Sequence, residues 1–383
     1  MSEWKERTVD ELCTKITDGS HFSPQEVEVG FPMFSVKDME QNGFSYKSVK
    51  KISNSDFKKL EKGDCKPLKN DILIAKDGSY LKHVFVCREE RDEVILSSIA
   101  ILRPDIEKIN PDFLKYILSS PSVKNMMANY VSGVAIPRII LNDFKRMTLY
   151  IPSKIQTQQK IANILSTYDE LIEVNNERIR ILEETAQSLY KEWFVRFRFP
   201  NYQDTEFIKG VPKGWGVIKF RDFIKLNRGF DLPNDKIIEG EFPVIASTST
   251  KAFHNEYKSS GEGIITGRSG SLGVVQYING KYWALNTALY VKDFKGNFPK
   301  YVYYFLKEMH LENFDSGAGV PTLNQNHLHG LRFPLPSISL QKQFDEIVSP
   351  MFTQIETLQQ QNTELRQIRD RLLPRLISGK IVV

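Results

Sequence analysis

The sequence has 383 residues, with 41% hydrophobic and 26% charged side chains, which is the composition of a globular chain long enough for two or three domains. Its apolar runs fall short of the roughly 18 residues that a membrane span needs, and its first residues lack the apolar core of a signal peptide. We therefore expect a cytoplasmic protein without a membrane partner. The net charge of +5 is compatible with nucleic-acid binding but does not establish it.

Cysteines and histidines give no sign of a structural metal or a disulfide framework. Cys13, Cys65 and Cys87 are odd in number and widely spaced, so reduced and mostly buried thiols are expected. His327 and His329 stand two residues apart with no cysteine or second histidine pair nearby, so we expect loop histidines and no metal site.

Short motifs recur in the same order in the two halves of the chain. Trp4 matches Trp215 and Tyr46 matches Tyr257 at an offset of 211 residues, and the offset falls to 192 near residue 71 and to 184 near residue 132. Because the offset drifts in one direction, the matches are collinear, which chance similarity would not produce. The sequence therefore predicts one unit that occurs twice.

The first copy carries about twenty extra residues after Tyr46, which explains the drop in offset. The insert holds eight lysines: Lys47, Lys50, Lys51, Lys58, Lys59, Lys62, Lys66 and Lys69. Two interpretations remain open, a solvated lysine face and a surface that contacts phosphates.

Each copy ends in a long helical pattern. From Gln156 to about Arg198 the chain has no glycine or proline, and its seam residues alternate steps of four and three. The seam is Ile161, Leu165, Tyr168, Ile172, Asn175, Ile179, Leu182, Ala186, Leu189 and Trp193, and at an offset of 183 it recurs as Phe344, Val348, Met351, Ile355, Leu358, Asn362, Leu365, Arg369, Leu372 and Leu376. The pattern predicts two coiled-coil helices. Pro350 and Pro374 are expected to bend the second helix, delay its start or disturb its last turn.

We expect the two helices to pair antiparallel about a pseudo-twofold axis. Several registers would pack the apolar seam residues of the two helices against each other, and one of them also brings two buried amides together. That register places Asn175 against Asn362 and Ile179 against Leu358. A buried amide pair lowers stability but fixes register, which is the best-attested use of a polar seam residue.

The sequence just before each long helix is similar to that of a known protein family. Each globular segment ends in Ser-Gly-x-x-x-Pro, followed by a proline-bearing strand (residues 149–153 and 333–337) and a Gln-rich helix start at Gln156 or Gln341. This arrangement resembles the specificity subunit of type I restriction-modification systems over essentially the full length. The family's usual junction, Pro-Leu-Pro-Pro-x-x-Glu-Gln-Lys, has its Glu replaced here by Gln158 in the first copy and by Leu340 or Gln341 in the second.

The expected fold class is α+β, with two globular target-recognition domains separated by two long helices that form an antiparallel coiled coil. The predicted boundaries are residues 1–152 for the first recognition domain, 153–200 for the first helical region, 201–336 for the second recognition domain and 337–383 for the second helical region.

The resemblance implies a non-catalytic chain that binds double-stranded DNA, each recognition domain reading one half of a split target. It implies two methyltransferase (modification) subunits on the helical regions and restriction subunits in the full complex. No cofactor is expected on this chain, because S-adenosylmethionine, ATP and Mg would be bound by those partners. The alternative is a non-catalytic coiled-coil adaptor with two protein-binding heads.

Enzymatic motifs are incomplete. Asn110-Pro111-Asp112-Phe113 has Asp where an adenine methyltransferase has a second proline, and a helix start at Pro111 explains it better. Glu256-Tyr257-Lys258 is a common string that we interpret as a surface strand. The glycines between residues 261 and 273 fit neither Gly-x-Gly-x-x-Gly nor a P-loop, and we expect turns between short strands there.

Two polar loops recur in both copies and are the candidate DNA-binding sites. Small residues let backbone N–H groups approach phosphates, while Arg, Lys and Asn can reach base edges. The candidates are Lys76, Ser79, Ser132, Gly133 and Arg138 in the first copy, and Arg268, Ser269, Ser271, Ser316, Gly317, Thr322 and Asn324 in the second. Tight turns in a β-rich domain are the competing interpretation. Because the copies differ at most of these positions, we expect an asymmetric target.

Overall fold

A computed structural model describes residues 3–78, 81–128, 138–317 and 319–383 of the chain. It divides into two compact units. The first unit comprises Met1–Asn175 and Gln360–Val383, and the second comprises Asn176–Gln359. Each long helix therefore contributes one part to each unit.

The first copy of the repeat contains a β-rich domain followed by a long helix. Its elements are β1 (Trp4–Thr8), α1 (Val9–Leu12), β2 (Cys13–Asp18), β3 (Phe31–Phe34), β4 (Lys50–Ile52), α2 (Asn54–Lys62), β5 (Ile72–Ala75), β6 (Val84–Val86), β7 (Val94–Ile95), β8 (Ile99–Pro104), α3 (Pro111–Ser119), α4 (Pro121–Ala128), α5 (Leu141–Arg146), β9 (Thr148–Pro152) and α6 (Ile155–Tyr190).

The second copy follows the same plan after a π-helical turn at Lys191–Val195. Its elements are β10 (Phe207–Ile208), β11 (Val211–Pro212), β12 (Gly216–Lys219), α7 (Phe220–Phe223), β13 (Lys225–Arg228), β14 (Phe242–Ile245), β15 (Thr250–His254), β16 (Ser259–Gly267), β17 (Val275–Ala284), β18 (Ala288–Asp293), α8 (Pro299–Glu308), α9 (Gln325–Leu328), β19 (Arg332–Leu335) and α10 (Ile338–Ile377).

The two units share one strand order. In the first unit a four-stranded sheet runs β2-β8-β5-β6 and a three-stranded sheet runs β4-β3-β7. In the second unit one six-stranded sheet runs β13-β18-β16-β17-β14-β15. The long strand β17 pairs antiparallel with β16 and, at its end, parallel with β14, so it replaces both β6 and β7. The predicted α+β repeat is confirmed.

Local signals explain where the helices begin. Pro111 and Pro299 lie in the first turns of α3 and α8. Proline lacks a backbone N–H, and at this position that N–H would have no partner within the helix. Asn110 caps α3 because its Oδ1 accepts from the Phe113 N–H at 2.9 Å. The helix-start interpretation of Asn110-Pro111 is confirmed.

Several local expectations are wrong. Gly261, Gly263 and Gly267 lie within β16 rather than in turns, while Glu256–Lys258 is an exposed link between β15 and β16 rather than a strand. His327 lies in the short helix α9 and His329 directly follows it, instead of both lying in a loop. In stretches this short, the local propensity of glycine or of β-forming residues does not decide the structure, because pairing with neighbouring strands overrides that propensity.

Neither proline delays or shortens α10, which begins well before Pro350 and continues beyond Pro374. Both prolines are exposed, whereas the nearby seam residues Val348, Ile355 and Leu376 are buried. Packing of the seam therefore stabilises the helix against the lost backbone bond, since most helical stability in proteins comes from tertiary burial.

Each unit buries its own parts of the two long helices. In the first unit, Leu165 of α6 and Leu376 of α10 share a buried cluster with Phe113 of α3. In the second unit, the ring of Tyr190 at the end of α6 lies 6.0 Å from the ring of Phe344 near the start of α10. Within each unit, the two helix segments therefore pack antiparallel.

Asn175 meets Asn362 in the first unit. Its Nδ2 donates a hydrogen bond to Asn362 Oδ1 at 3.0 Å, and both side chains are buried. This is the pair that the seam register predicts. In the second unit Ile179 is half-buried and Leu358 is buried, and their mutual contact stays a prediction.

A second polar layer lies beside this amide pair in the first unit. Asp169 accepts a hydrogen bond from the Tyr116 hydroxyl at 2.6 Å and pairs with Lys115 at 3.1 Å and Arg369 at 2.5 Å. Burial alone would raise the pKa of Asp169, but Lys115, Tyr116 and Arg369 together hold it below the ordinary value. Asp169 therefore links α3 to both long helices.

A buried glutamine recurs at the start of each long helix. Gln158 accepts from the Asn110 N–H at 2.8 Å and donates to Pro152 O at 2.9 Å, while Gln341 accepts from the Phe298 N–H at 3.1 Å and donates to Asn297 Oδ1 at 2.9 Å. Gln341, rather than Leu340, is thus the counterpart of Gln158. An ionised glutamate at either position could accept the hydrogen bond from the Asn110 or Phe298 N–H. It could not donate the second bond, because it carries no proton.

The thiols are free. Cys65 and Cys87 are buried and Cys13 is half-buried, and burial raises the pKa of Cys13 to about 12 and that of Cys87 to about 11. Among the described residues, none of the helices is both long and apolar enough to cross a lipid bilayer.

The amide pair predicts non-additive mutational effects. Asn175→Leu or Asn362→Leu should each lower the free energy of unfolding by about 1–3 kcal/mol, because the partner amide stays buried without its bond. The double variant should recover most of that loss in urea unfolding. Exposed Gln361→Leu is the control and should change little; additive losses in the double variant would contradict the pairing.

Asp169 predicts a stability loss in acid. Because its pKa is lower folded than unfolded, its contribution is present above the unfolded pKa of about 3.9 and disappears as pH falls through the folded pKa. Asp169→Asn should therefore cost about 3–5 kcal/mol at neutral pH by leaving cations buried. It should also flatten the stability profile below about pH 4 relative to exposed Glu170→Gln. Equal acid slopes in both variants would contradict the assignment.

Candidate nucleic-acid interface

The described ends of the two loops singled out by the repeat lie side by side in the first unit. We call residues 76–79 and 268–271 loop A, and residues 132–138 and 316–324 loop B. Asp77 of loop A forms an antiparallel bridge with Arg138 of loop B, and Arg138 donates to both carboxylate oxygens of Asp77 at 2.8 and 2.9 Å. The Ile139 N–H donates to Lys76 O at 3.0 Å.

The same junction occurs at the equivalent positions of the second unit. Ser269 bridges Thr322, and the Leu323 N–H donates to Arg268 O at 2.8 Å. Loops A and B are therefore joined at one place in both units, although the side chains at the junction differ. A conserved backbone junction with variable side chains suits a recognition surface.

Lys76 lies inside the first unit rather than on its surface. It is 3% exposed, and its Nζ lies 2.8 Å from Asp18 Oδ2. Its counterpart Arg268 is half-buried and donates through Nε to Asn286 O at 2.9 Å. Lys76 can reach a base only if the buried ion pair breaks, so the structure gives it a supporting position in loop A.

A third loop, which sequence reasoning missed, completes the site. We call residues 18–24 and 228–234 loop C. A Cβ on Gly19 would lie 2.2 Å from Ile95 O, and one on Gly229 would lie 2.2 Å from Leu285 O, so both positions require glycine. The signal was present, because Gly19 and Gly229 match at an offset of 210. Parallel bridges Ser20–Leu96 and Phe230–Leu285 fix loop C in both units.

Loop C gives the two sites different charge patterns. Asp18, which neutralises Lys76, is replaced at the equivalent position of the second unit by Arg228. A cleft of about 340 Å³ there is lined by Arg228, Arg268, Ser316, Thr322 and Asn324, together with Leu289, Leu323, Gln325 and Asn326. Arg228 has an exposed partner, Asp231, at 3.5 Å. The second site thus presents two arginines where the first has an internal ion pair.

Several predicted donors of the second unit are occupied by the loop itself. The Gly317 and Thr322 N–H groups donate to Asp315 Oδ1 at 2.9 and 2.8 Å, and these bonds hold the pKa of Asp315 below its ordinary value. The Ser316 hydroxyl donates to Thr322 O at 2.9 Å. Small residues therefore shape loop B here, and its backbone N–H groups at these positions are not directed at a ligand.

The remaining candidates differ in their surroundings. Ser269 O accepts from the Ser247 hydroxyl at 3.0 Å, and Asn324 Oδ1 accepts from the Asn326 N–H at 3.0 Å at the start of α9. Ser271 is exposed. Ser79, Ser132 and Gly133 lie outside the described residues.

A family model agrees with this architecture. The type I restriction modification DNA specificity domain matches residues 1–184 and again residues 212–367, which together make up most of the chain. The chain therefore belongs to that family, and the resemblance and the duplication predicted from the sequence are confirmed. Membership also places it among specificity subunits rather than the catalytic subunits of these systems.

Known relatives extend the likeness. The chain is 28% identical over 307 residues to the type I restriction enzyme MjaIX specificity subunit of Methanocaldococcus jannaschii, covering 71% of this chain and 69% of that one. It is 21% identical to the putative MjaX specificity subunit of the same organism, covering 100% and 94%. The fold is similar to the crystal structure of the type I S subunit from M. genitalium, with 19% identity, a TM-score of 0.59 and coverage of 98% and 96%.

The buried ion pair of the first site predicts a severe single-site effect. Asp18→Asn should cost about 3–5 kcal/mol in urea unfolding, because Lys76 would stay buried without an anion. A second change, Lys76→Met, should restore much of that stability. Glu206→Gln, which removes the carboxylate of an exposed pair with Lys213, is the control and should have little effect. A mild Asp18→Asn variant would show that Lys76 is free to leave the interior.

Proposed function

We propose that the chain is the specificity subunit of a type I restriction-modification complex that binds double-stranded DNA. Each recognition domain would read one half of a split target, and the chain would direct partner methyltransferase and restriction subunits to it in the cytoplasm. The observation that carries this proposal is the junction of loops A, B and C, which recurs in both units with one backbone plan and different side chains.

The charge patterns support an asymmetric target. In the first unit Arg138 and Asp77 face each other at the junction, and Asp18 neutralises Lys76. In the second unit the equivalent positions hold Thr322, Ser269, Arg228 and Arg268. Side chains with different donors and acceptors favour different base pairs in the major groove, so the two half-sites should differ.

Arg228 and Arg268 are the leading candidates for DNA contact in the second unit. They line one cleft with Asn324, and arginine and asparagine are the side chains that pair bidentately with guanine and adenine. In the first unit we propose that Arg138 contacts DNA, together with the loop C residues His21 and Phe22, which are exposed beside Asp18.

The helical regions, taken as residues 153–200 and 337–383, are proposed to bind two methyltransferase subunits. Their described surfaces carry apolar side chains that are exposed in this chain and that a partner subunit could cover. Among them are Leu171, Val174 and Ile368 in the first unit and Ile181 and Ile347 in the second. S-adenosylmethionine, ATP and Mg would be bound by the partner subunits, and residues 1–152 and 201–336 would be the recognition domains.

The alternative is an adaptor whose two heads bind proteins. The two possibilities differ in salt dependence, because neutralising DNA phosphates releases counterions and gives a steep slope, whereas a protein-binding head gives none on DNA. As a non-catalytic specificity subunit, the purified chain incubated with DNA and S-adenosylmethionine should transfer no methyl group.

Arg268 provides the sharpest test of half-site reading. In the complex with methyltransferase partners, Arg268→Ala should weaken discrimination at one position of one half-site by about 1–3 kcal/mol. The other half-site should keep its preferences. Competition binding with duplexes that carry single-base changes measures both, and Arg221→Ala, an exposed arginine elsewhere in the second unit, is the control.

Two outcomes would contradict the proposal. Wild-type complex that binds all duplexes equally well would show that the chain does not read sequence. An Arg268→Ala variant that loses preference equally at both half-sites would show that the two units do not read them separately.

A further inference from the structure

The positive charge of the chain is concentrated in one segment. Residues 47–69 hold eight lysines and three acidic residues, a net charge of +5, which equals the net charge of the whole chain. The other residues therefore balance to zero. Since β15 of the second copy leads almost directly into β16, this charged segment belongs to the first unit alone.

The segment is folded and packed against the rest of the first unit. Ser53 caps α2, its hydroxyl oxygen accepting from the Asp56 N–H at 3.1 Å. Phe57 and Leu60 are buried, and the Phe57 ring stacks on Phe31 with a centroid separation of 4.3 Å. Because these residues anchor one face of α2, its lysines are held on the opposite, exposed face.

The three acidic side chains of the segment already have hydrogen-bond or ion-pair partners. Asp56 accepts from the Ser53 hydroxyl at 2.7 Å, Glu61 pairs with Lys66 at 3.0 Å, and Asp64 pairs with Lys15. In the described part of the chain, Lys51, Lys58, Lys59 and Lys62 form no ion pair. These four, with Lys50, are called the lysine ridge below.

The lysine ridge lies against loop C, one of the three loops of the candidate interface. Lys50 Nζ donates to the Ser23 hydroxyl at 2.7 Å, and Lys59 Nζ lies 5.7 Å from the centre of the Phe22 ring. Phe22 is 59% exposed, and loop C begins at Asp18, the partner of Lys76. DNA seated on loops A, B and C of the first unit would therefore meet the ridge directly beside them.

We propose that the lysine ridge binds the phosphate backbone of duplex DNA that flanks the first half-site, without reading its bases. The inference rests on the proposed function and adds a one-sided anchor to it. Lysine suits this role because it acts as a point charge toward phosphate, whereas base reading favours the planar, bidentate side chains at the loop junctions. The second copy lacks this segment in its sequence, so the proposed anchor is on one side only.

The test uses the triple variant Lys58→Gln, Lys59→Gln, Lys62→Gln in the complex with methyltransferase subunits. Affinity is measured against salt on a target duplex with a long flank beside the first half-site and on one cut short there. Each phosphate contact contributes about 0.9 to the slope of log K against log salt, so the variant's slope should be less steep by about 2 to 3 on the long duplex. Shortening the flank should weaken binding by the wild type more than by the variant, which keeps only Lys50 and Lys51 of the ridge.

The ratio of target to non-target affinity should stay unchanged in the variant, because the lost contacts ignore sequence. The matched control is Lys209→Gln, Lys225→Gln, Lys292→Gln, three exposed lysines of the second unit, which should leave the slope unaltered. Circular dichroism and thermal unfolding verify that each variant is folded.

The outcomes separate this proposal from the proposed function. A triple variant with the wild-type slope, in a complex that still prefers its target, overturns the ridge proposal alone. A variant that loses target preference also overturns it, since the ridge would then read bases. Wild-type complex without any target preference contradicts the proposed function itself.

Discussion

The first unit depends on the packing of the end of the chain against its beginning. Its core contains Leu165 from α6 and Leu373 and Leu376 from α10, segments that the whole second unit separates in sequence. Closing such a long loop has an entropic cost that the buried contacts must offset. The Asn175–Asn362 bond and the Asp169–Arg369 pair then make one register of the helix segments far better than its neighbours. Asp169 also binds Lys115 and Tyr116 of α3, so the same layer attaches the long helices to the first recognition domain.

Equivalent positions of the long helices hold different kinds of side chain in the two units. The repeat offset of 183 aligns Asp169 with Phe352 and Arg369 with Ala186, so a half-buried ion pair in the first unit corresponds to an aromatic ring and a methyl group in the second. There Phe352 packs on Tyr277 with a centroid separation of 4.7 Å. Loop C shows the same kind of exchange, with Asp18 replaced by Arg228. A duplicated scaffold therefore tolerates paired changes that alter the charge of each site, which is how one fold can present two different recognition surfaces.

Much of this architecture could be predicted because it is periodic. The collinear offsets revealed the repeat, the seven-residue pattern gave both long helices, and the two seam amides selected the pairing of Asn175 with Asn362. Loops A and B were found because they recur. Lys76 was assigned to the surface because nothing local shows that Asp18, distant in sequence, neutralises it in the interior. Loop C was missed although Gly19 and Gly229 recur, since a glycine's close approach to another strand becomes visible only in three dimensions.

The central claim is that one chain directs modification by joining two unlike half-site readers. Adenine methylation, which the family resemblance implies for the partner subunits, can be mapped across the host genome with and without this gene. Our account predicts that removing the gene abolishes methylation at a single split motif whose two halves differ and are separated by a spacer of fixed length. An unchanged methylation map, or the loss of one continuous motif, would contradict it.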